Sequence, residues 1–336
     1  KTAGGARSTN VKELEKLKNS HPVIEEIFKH RELSKLLSTY IDVLPKLVKN
    51  DGRIHAKFVQ AGTTTGRFSS QDPNLQNLPV KTELGKNIRN AFMAPPGSKL
   101  VSFDYSQIEL RVAALLSQAE FLIKVFNEGK DVHSAVAMRV FGVDEKDITA
   151  EMRRKAKVIN FGILYGMGVS ALQQNLGGER KEAQIFYDNY FKEFPSIRGY
   201  LDSVKDFAKK NGYTETLFGR KRYFPGMRSK IQFIVAMAER MAINAPIQGT
   251  SADLIKLAIK GAQKVLAEKN LADHTHLVLQ VHDEIVFEVE DKYVKEVSSI
   301  VENAMCNVIP KEFLKGLKGV PLAVHTSFDQ NFGNLK

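Results

Sequence analysis

The chain of 336 residues has few of the features that mark several common protein classes. Its only cysteine is Cys306, so no disulfide can form within the chain, which suits a reducing compartment. No apolar stretch approaches the roughly 20 residues of a membrane span, and no signal-peptide pattern is visible. Tryptophan, internal repeats and low-complexity tracts are also missing. We therefore expect a protein that is neither secreted nor membrane-bound, placed in the cytoplasm or in an organelle matrix if its source is eukaryotic.

The charge balance is strongly positive, with a net charge of +11 and an isoelectric point near 9.4. Lysine and arginine are spread along the chain instead of being gathered in one tail. This balance favours a polyanionic partner, with nucleic acid first and an anionic membrane surface second. The length predicts two or three lobes, and the 43% of hydrophobic residues is enough for a sizeable core.

Two segments place an aspartate where a predicted strand ends. In KLVSFDYSQIELR, Asp104 follows the apolar alternation from Leu100 to Phe103 and precedes a helical pattern. In LVLQVHDEIVFEV, two apolar runs flank a polar triplet, which predicts a β-hairpin with Asp283 at its tip. Two carboxylates that are distant in sequence, each at a strand end, suit a two-cation phosphoryl-transfer site, because magnesium prefers oxygen ligands.

A plainer interpretation exists for either aspartate taken alone. Asp104 could cap its helix and Asp283 could be a turn residue, and for a single Asp so placed this is the commoner case. However, Glu109 lies near Asp104 and Glu284 adjoins Asp283, and like charges repel unless a cation lies among them. We therefore expect metal ligation by the two aspartates, with Glu284 as a weaker or outer ligand.

The segment EMRRKAKVINFGILYGMG is the most specific pattern in the chain. Arg153, Lys157, Phe161 and Tyr165 follow one another at i+4, so they form one ridge on a helix face. Two cations followed by two aromatics suit a triphosphate at one end and a base with its sugar at the other. The alternative is a solvated basic helix end whose aromatics belong to the core, and for Phe161 alone the two are equally good. The four residues together favour the functional interpretation.

The order of strand, helical insertion and strand pair predicts an α+β fold, with a mixed sheet that brings Asp104 and Asp283 together. The elements expected along the chain are helices over 11–49, a strand over 54–59, an irregular stretch over 61–79, mostly helix over 131–235 with glycine breaks, a helix bent or divided near Pro246 and Gly249, a helix over 291–309 and a final strand over 320–324.

The motifs together resemble a known family. DYSQIELR (104–111), RRKAKVINFGILYG (153–166) and VHDE (281–284) look like the three polymerase motifs of family A DNA polymerases, of the bacterial DNA polymerase I type. TTTGRFSSQDPNLQNLPV (63–80), GYTETLFGRKR (212–222) and NAPIQGTSADLIK (244–256) match the same family in the same order. The resemblance covers nearly the whole chain.

The resemblance implies the right-hand polymerase fold, an α+β fold with an antiparallel palm sheet, helical fingers and a partial helical thumb. The implied domains are a thumb remnant over 1–50, palm over 51–130 with the Asp104 motif, fingers over 131–235 and palm over 236–336 with the Asp283 hairpin. Because the chain begins with Lys1 in the middle of the implied thumb, we expect it to be a fragment or processed piece. The family's exonuclease-like domain has no counterpart in the sequence, so no proofreading is expected of this chain.

The implied function is that of a DNA-directed DNA polymerase, a nucleotidyltransferase of DNA replication or repair that adds dNTPs to a primer 3′-hydroxyl and releases pyrophosphate. The implied cofactors are two Mg²⁺ ions, with Mn²⁺ able to substitute. The implied partners are primer–template DNA and dNTPs, with no membrane, and a monomer is expected. Two alternatives stay open: a metal-dependent nuclease, which would not need the basic and aromatic ridge, and a truncated, catalytically weak fragment that binds primer–template.

Site roles carry over residue by residue. The catalytic residues implied are Asp104, Asp283, Lys157 and Glu284, and the metal ligands are Asp104, Asp283 and the backbone carbonyl of Tyr105. The implied dNTP contacts are Gln107, Ile108, Glu109, His133, Arg153, Lys157, Phe161 and Tyr165. The implied DNA contacts are Arg67, Asn74, Asn77, Lys81, Arg154, Asn244, Gln248 and His282. A further basic group, either DNA-contacting or simply solvated, consists of Lys209, Lys210, Arg220, Lys221 and Arg222.

Individual roles within these sets also follow from the resemblance. Glu109 would exclude ribonucleotides by closing off the sugar's 2′ side, and Tyr165 would guard the template position. Phe161 would stack on the sugar and base, and phenylalanine at this position implies discrimination against dideoxynucleotides. The role of His133 in binding the dNTP follows from the resemblance alone, since a single histidine after Gly129-Lys130-Asp131 is more often structural.

Overall fold

One antiparallel sheet supplies the framework of the site. The computed structural model describes Gly5, residues 7–80 and residues 82–335, so Lys81 lies outside the described residues. The strands of the described chain are β1 (Lys57–Val59), β2 (Ser69–Gln71), β3 (Ser98–Tyr105), β4 (Tyr213–Glu215), β5 (Lys221–Tyr223), β6 (Thr275–Val281), β7 (Glu284–Glu290) and β8 (Val324–Asp329). The central sheet has the order β6–β7–β3–β8 with every neighbouring pair antiparallel. The mixed sheet expected from the order of elements is therefore wrong, and the antiparallel sheet that the resemblance implies is confirmed.

The two inner strands of this sheet, β3 and β7, are buried on both faces. Val101 and Phe103 of β3 are fully buried, and so are Ile285 and Val286 of β7. The helix Val294–Cys306 packs against β3, β7 and β8, and both inner strands are mostly apolar, with the polar residues Ser102 and Glu288 also buried. The polar residues at the strand ends therefore lie at the edge of a buried sheet.

Helices make up most of the rest of the chain. In the described part they are α1 (Val11–Glu15), α2 (Val23–Leu36), α3 (Leu44–Leu47), α4 (Glu83–Asn90), α5 (Ile108–Ser117), α6 (Glu120–Asn127), α7 (Val132–Phe141), α8 (Ala150–Leu164), α9 (Val169–Leu176), α10 (Arg180–Glu193), α11 (Pro195–Asn211), α12 (Gln232–Glu268) and α13 (Val294–Cys306). Helix α8 begins where Thr149 accepts a hydrogen bond from the Met152 amide at 3.1 Å. It ends before Gly166, whose φ of 66° is left-handed.

Helix α12 runs unbroken for 37 residues, with Pro246 inside it. The helix is therefore not divided near Pro246 and Gly249, and the alternative expectation of a bend there stays a prediction. A proline removes one backbone hydrogen bond and usually kinks an isolated helix. Here Ala245, Pro246 and Ile247 are all buried against neighbouring elements, and this packing holds the helix continuous.

Other boundaries also differ from the sequence-based expectations. The final strand begins at Val324 and runs to Asp329, whereas residues 320–324 were expected, because its pairing with β3 selects the more polar segment. The strand expected over 54–59 is shorter in the structure, where it is β1 (Lys57–Val59). A small hairpin of β4 and β5, with Gly219 in its turn, interrupts the expected helical stretch. Strands of three residues leave too short an alternation to recognise in a sequence.

The chain divides into two compact units. The smaller unit comprises Lys1–Phe58, Ser70–Met93 and Asn331–Asn334, and within it the Tyr40 hydroxyl donates to the Asn77 carbonyl at 2.5 Å. The larger unit comprises Val59–Ser69, Ala94–Gln330 and Leu335–Lys336, and it holds the central sheet and helices α5 to α13.

Candidate active site

Asp104 and Asp283 lie side by side at one end of the central sheet. Asp104 is opposite Glu284 in the pairing of β3 with β7. The amide of Tyr105 donates to the backbone carbonyl of Asp283 at 3.2 Å, which fixes the hairpin tip against the end of β3. The expectation that the two strands neighbour each other is therefore confirmed, and so is the hairpin, with β6 and β7 joined through His282 and Asp283.

Left-handed backbone brackets this acidic pair. His282 has a φ of 54° and Gln107 a φ of 53°, although neither is glycine. Such conformations cost energy and persist only where the surrounding structure imposes them, often at functional sites. At Gln107 the conformation turns the chain sharply from β3 into α5, and Gln107 is the residue that precedes the helix.

Burial and the Asp104 carboxylate raise the pKa of Asp283 to about 6, with a smaller contribution from Glu109 and partial relief from Arg67. The surroundings of Asp283 therefore disfavour its ionised form. A divalent cation placed between the carboxylates would remove this repulsion, because it favours the ionised form of both.

We expect Asp283→Asn to stabilise the metal-free protein at neutral pH by about 1–3 kcal/mol, since one pKa unit corresponds to about 1.4 kcal/mol. The pKa of Asp283 is raised in the folded state from its ordinary 3.8 to about 6. The ionised form therefore opposes folding, and that cost disappears as the pH falls through this window. The gain should be largest above pH 6 and absent below pH 4. Urea unfolding with a chelator present, at several pH values, measures it.

Asp273→Asn is the matched control, because Asp273 is exposed and carries the same charge. It should leave stability nearly unchanged at every pH. If Asp283→Asn destabilises the metal-free protein at neutral pH, the raised pKa is not a property of this site.

Glu109 is a buried carboxylate with both oxygens engaged. Its Oε1 accepts from Nη2 of Arg67 at 2.7 Å, and its Oε2 accepts from the Tyr165 hydroxyl at 2.7 Å. Burial and then this bond raise the pKa of Tyr165, so the phenol stays protonated and donates. The network joins the end of α8 to the first turn of α5. The negative charge of Glu109 also contributes to the raised pKa of Asp283. Glu109 is therefore held in place close to the two aspartates.

The expected ridge lies on α8, and its two cations differ in their surroundings. Arg153 donates from Nε at 3.2 Å and from Nη2 at 2.5 Å to Oδ2 of Asp131, so its fork is already occupied. Lys157 is exposed and has no ion-pair partner in the part of the chain that the structure describes. Both charges act on His133, which places all three close together. Lys157 is thus the cation that is ready to receive an anion.

His133 is buried behind the ridge and is neutral at physiological pH. Burial lowers its pKa to about 4; Asp131 opposes this shift, while Arg153 and Lys157 add to it. Its Nδ1 lies 3.2 Å from Nδ2 of Asn160. An amide donor at Nδ1 places the ring proton on Nε2, which can then donate to an anion. The ring lies 5.7 Å from that of Phe161, centroid to centroid.

Several expected site residues turn their side chains into the core. Ile108 is 2% exposed, and Tyr105 is buried with its hydroxyl donating to the Met305 carbonyl at 2.8 Å. For these two, only the backbone can reach a ligand. Glu284 is 1% exposed and accepts from the Ser102 hydroxyl at 2.5 Å, which holds it against the sheet. Gln107 is half-buried, and its Oε1 has no hydrogen-bond partner among the described residues.

The expected DNA contacts lie on several elements. Asn244 and Gln248 are half-buried on α12, and the Asn244 Oδ1 is buried without a hydrogen-bond partner in the described chain. His282 is exposed at the hairpin tip, and Arg154 pairs with Glu151 at 2.6 Å on the surface of α8. In the smaller unit, Asn74 and Asn77 bound a short 3₁₀ turn. Lys81 lies outside the described residues.

Arg220, one of the further basic group, is engaged within the protein. It donates from Nε to Asp253 at 2.7 Å and from Nη2 to the carbonyls of Thr65 and Gly249. Gly66 fits because a Cβ there would lie 2.4 Å from Cζ of Arg220. Arg220 therefore holds the loop that carries Arg67 against α12, which is a structural role within the protein.

Three residues that shape the site have roles that no local sequence pattern indicates. Asp131 holds Arg153, Asn160 orients His133 and Ser102 holds Glu284. A cap pattern does identify Asp131, since it begins α7 by accepting from the Ser134 amide at 2.7 Å. Its second role depends on a residue 22 positions away. In the described ranges there is no group of three or more His, Cys, Asp and Glu residues arranged to hold a metal, and no helix of these ranges is long and apolar enough to cross a membrane.

Comparison with known proteins gives consistent matches. A sequence profile of DNA polymerase family A matches residues 1–334. The thermostable DNA polymerase I of Thermus aquaticus is 45% identical over 333 residues, covering 99% of this chain and 39% of that protein. The DNA polymerase I of Chloroflexus aurantiacus is 44% identical over 336 residues, covering 100% of this chain and 35% of that protein. The chain thus spans less than half the length of these curated relatives.

A solved structure extends the match to three dimensions. The POL domain of Pol1 from M. smegmatis, in complex with DNA primer-template and dNTP, superposes with a TM-score of 0.92 at 39% sequence identity. The match covers 100% of this chain and 58% of that one.

Proposed function

The chain belongs to DNA polymerase family A, and we propose that it is a template-directed DNA polymerase that adds dNTPs to a primer 3′-hydroxyl and releases pyrophosphate. Its fold is the right-hand polymerase fold. The observation that carries the proposal is the contact of Tyr105 with Asp283, which places two carboxylates at the ends of paired strands. Glu109 and Tyr165 connect this acidic pair to α8, whose exposed cations suit a triphosphate.

We assign the palm to residues 51–130 and 236–336, the fingers to 131–235 and the remaining part of the thumb to 1–50. The assignment rests on the position of Asp104 and Asp283 in one sheet and of the basic ridge on the helices between them. We also propose that the chain acts as a monomer in the cytoplasm, and that it carries out no proofreading.

Family A polymerases use divalent metal ions, and two-metal catalysis is the general scheme for polymerases and nucleases. The donor set fits Mg²⁺, which is usually bound by one or two carboxylates together with substrate phosphates. Asp104, Asp283 and the Tyr105 carbonyl would hold two such ions, or Mn²⁺ in their place. The raised pKa of Asp283 is consistent with this, because burial and the Asp104 carboxylate disfavour the ionised form that a bound cation would stabilise. Bound there, the ions would supply activation of the 3′-hydroxyl and neutralisation of the leaving pyrophosphate.

The remaining residues bind and position the substrates. Lys157 offers an unpaired charge to the triphosphate, and His133 offers a neutral donor from Nε2. Arg153 can join them by releasing Asp131 and binding phosphate oxygens instead. Its planar guanidinium group can do so because it forms the same paired hydrogen bonds with a carboxylate and with a phosphate. Phe161 lies next along the ridge, where the sugar and base of the incoming nucleotide would stack. Positioning and electrostatics supply most of the catalysis in this reaction class.

We expect Glu109→Ala to raise ribonucleotide incorporation about 10- to 100-fold relative to dNTP incorporation, since the shape of a pocket is usually worth about 1–3 kcal/mol. Glu109 is held from both oxygens, so it cannot move aside for a 2′-hydroxyl. Single-nucleotide kcat/KM values for rNTP and dNTP measure the ratio. Tyr165→Phe keeps the carboxylate and removes one of its two hydrogen bonds, so its effect should be smaller. An unchanged sugar preference in Glu109→Ala would reject this role.

Extension of a labelled primer annealed to a longer template, with four dNTPs and Mg²⁺, tests the function itself. We expect added nucleotides and no shortening. Shortening of the primer would favour a metal-dependent nuclease. Binding without any change in primer length would favour a fragment that only binds primer–template.

A further inference from the structure

Asp131 uses its two carboxylate oxygens for two different purposes. Its Oδ1 accepts from the Ser134 amide at 2.7 Å and so begins α7. Its Oδ2 accepts from Nε of Arg153 at 3.2 Å and from Nη2 at 2.5 Å. The first bond is ordinary helix capping, whereas the second engages a side chain that is proposed to bind substrate. Asp131 therefore has a contact that the start of a helix does not require.

The position of Arg153 on the ridge indicates which phosphate it meets. At 1.5 Å per residue, Lys157 is about 6 Å and Arg153 about 12 Å from Phe161 along the axis of α8. If the sugar and base stack on Phe161, the row of phosphates passes Lys157 before it reaches Arg153. We therefore expect Arg153 to receive the outermost phosphate of a dNTP, which leaves as part of pyrophosphate.

Part of Arg153 stays available while Asp131 is bound. The ion pair uses Nε and Nη2, and Nη1 has no hydrogen-bond partner among the residues that the structure describes. The side chains of Arg153 and Asp131 are 46% and 38% exposed, so dissolved anions can reach the pair. A phosphate can therefore contact Nη1 first and replace Asp131 afterwards, and the guanidinium group is never left without an anion.

The carboxylate competes with phosphate for this guanidinium group. Burial disfavours the ionised form of Asp131, but the hydrogen bonds from Arg153 and the Ser134 amide outweigh it and hold the pKa of Asp131 below its ordinary value. Asp131 is therefore ionised at neutral pH. A terminal phosphate forms the same paired hydrogen bonds and carries more negative charge, so it can displace the carboxylate. Each dNTP nevertheless binds less tightly than it would to an unoccupied Arg153.

We propose that Asp131 exchanges with the outermost phosphate at Arg153 in every catalytic cycle, and thereby limits the affinity for dNTP and assists the release of pyrophosphate. The inference rests on the proposed polymerase function and adds a positioning residue to it. Once pyrophosphate has formed, the carboxylate can return to Arg153 and replace a phosphate oxygen there. A carboxylate that served only as the N-cap of α7 would have no such effect, since asparagine caps a helix equally well.

Asp131→Asn tests the exchange, because asparagine keeps the size of the side chain and the helix cap but removes the charge. Binding is measured on a primer–template whose primer ends in a dideoxynucleotide, with Ca²⁺ in place of Mg²⁺, so that neither addition nor its reversal takes place. The dissociation constant of the next correct dNTP should fall about three- to fivefold, the range that a part-exposed ion pair supplies. The dissociation constant of pyrophosphate, measured by competition, should fall by a similar factor. That of the corresponding dNDP should not change, since a dNDP lacks the phosphate that reaches Arg153.

Asp144→Asn is the matched control, because Asp144 is exposed, lies just beyond the other end of α7 and carries the same charge. It should leave all three dissociation constants unchanged. The double variant D131N/R153A should bind dNTP no more tightly than Arg153→Ala does, because the exchange requires the guanidinium group. Thermal unfolding checks that each variant is folded.

Three results would overturn the proposal. The first is an unchanged affinity for dNTP in Asp131→Asn. The second is weaker binding of dNTP, which would instead assign Asp131 to holding Arg153 in its binding conformation. The third is tightening that is equal for dNDP or that persists without Arg153, which would show that Asp131 only repels anions at a distance.

Failure of this proposal is distinguishable from failure of the polymerase function. A chain that extends primers but shows no tightening in Asp131→Asn would lose only the exchange at Arg153. A wild-type chain that binds no dNTP on primer–template and extends no primer would overturn both.

Discussion

Asp104→Asn and Asp283→Asn are each expected to lower the rate of primer extension by about a thousandfold or more, because Lewis-acid stabilisation by bound metal is worth several kcal/mol. Each substitution keeps the size of the side chain and removes one negative charge. The two residues are held at the ends of paired strands, so the change should leave the sheet intact. Single-turnover rates on a primer–template at saturating dNTP measure the loss. Affinity for primer–template alone should stay within a few-fold of wild type.

The same two variants separate chemistry from folding. Asp283→Asn should be more stable than wild type without metal, yet inactive, because burial and the neighbouring Asp104 carboxylate, which raise the pKa of Asp283, no longer act on a charged group. Asp273→Asn should keep both activity and stability. Extension at the wild-type rate by either active-site variant would contradict the assignment.

Lys157→Ala is expected to lower kcat/KM for dNTP addition by about a hundredfold or more, the usual cost of removing one preorganised charge that faces a transition state. Lys157 is exposed and has no ion-pair partner among the described residues, whereas Arg153 is held by Asp131. The charge of Lys157 is therefore fully available to the triphosphate. Because negative charge grows on the leaving pyrophosphate, much of the loss should appear in kcat as well as in KM.

Lys155→Ala provides the control for Lys157. It removes the same charge from the same helix, two positions away and so on the opposite side of α8. Its kcat/KM should remain within a few-fold of wild type. Equal losses in the two variants would mean that the helix acts through its overall charge, and the specific role of Lys157 would be rejected.

The sequence was sufficient for the elements that bear the acidic pair. Strands β3 and β7 are mostly apolar segments next to an aspartate, and such segments are recognisable because these two strands are buried on both faces. The ridge of α8 was visible for the same kind of reason, since its spacing is that of a helix. Local pattern and tertiary position agree at these sites.

The partners of the site residues could not be predicted. Arg67 and Glu109 are 42 positions apart, and their bond depends on a loop that Arg220 anchors from a third segment. The sequence predicts that Arg67 contacts DNA. In the structure its guanidinium group donates to the Glu109 carboxylate, and part of the Arg67 side chain stays exposed. Pairings of this kind follow from packing of the whole chain, which no local periodicity encodes.

The direct test of the account is the binding of Mn²⁺, observed by electron paramagnetic resonance, in a complex with primer–template and a non-hydrolysable dNTP. We predict two Mn²⁺ ions per protein molecule close enough for their spins to couple, as in a two-metal site. Asp104→Asn and Asp283→Asn should each abolish the coupled signal. Unchanged binding of coupled Mn²⁺ in both variants would contradict the claim that these two carboxylates hold the ions.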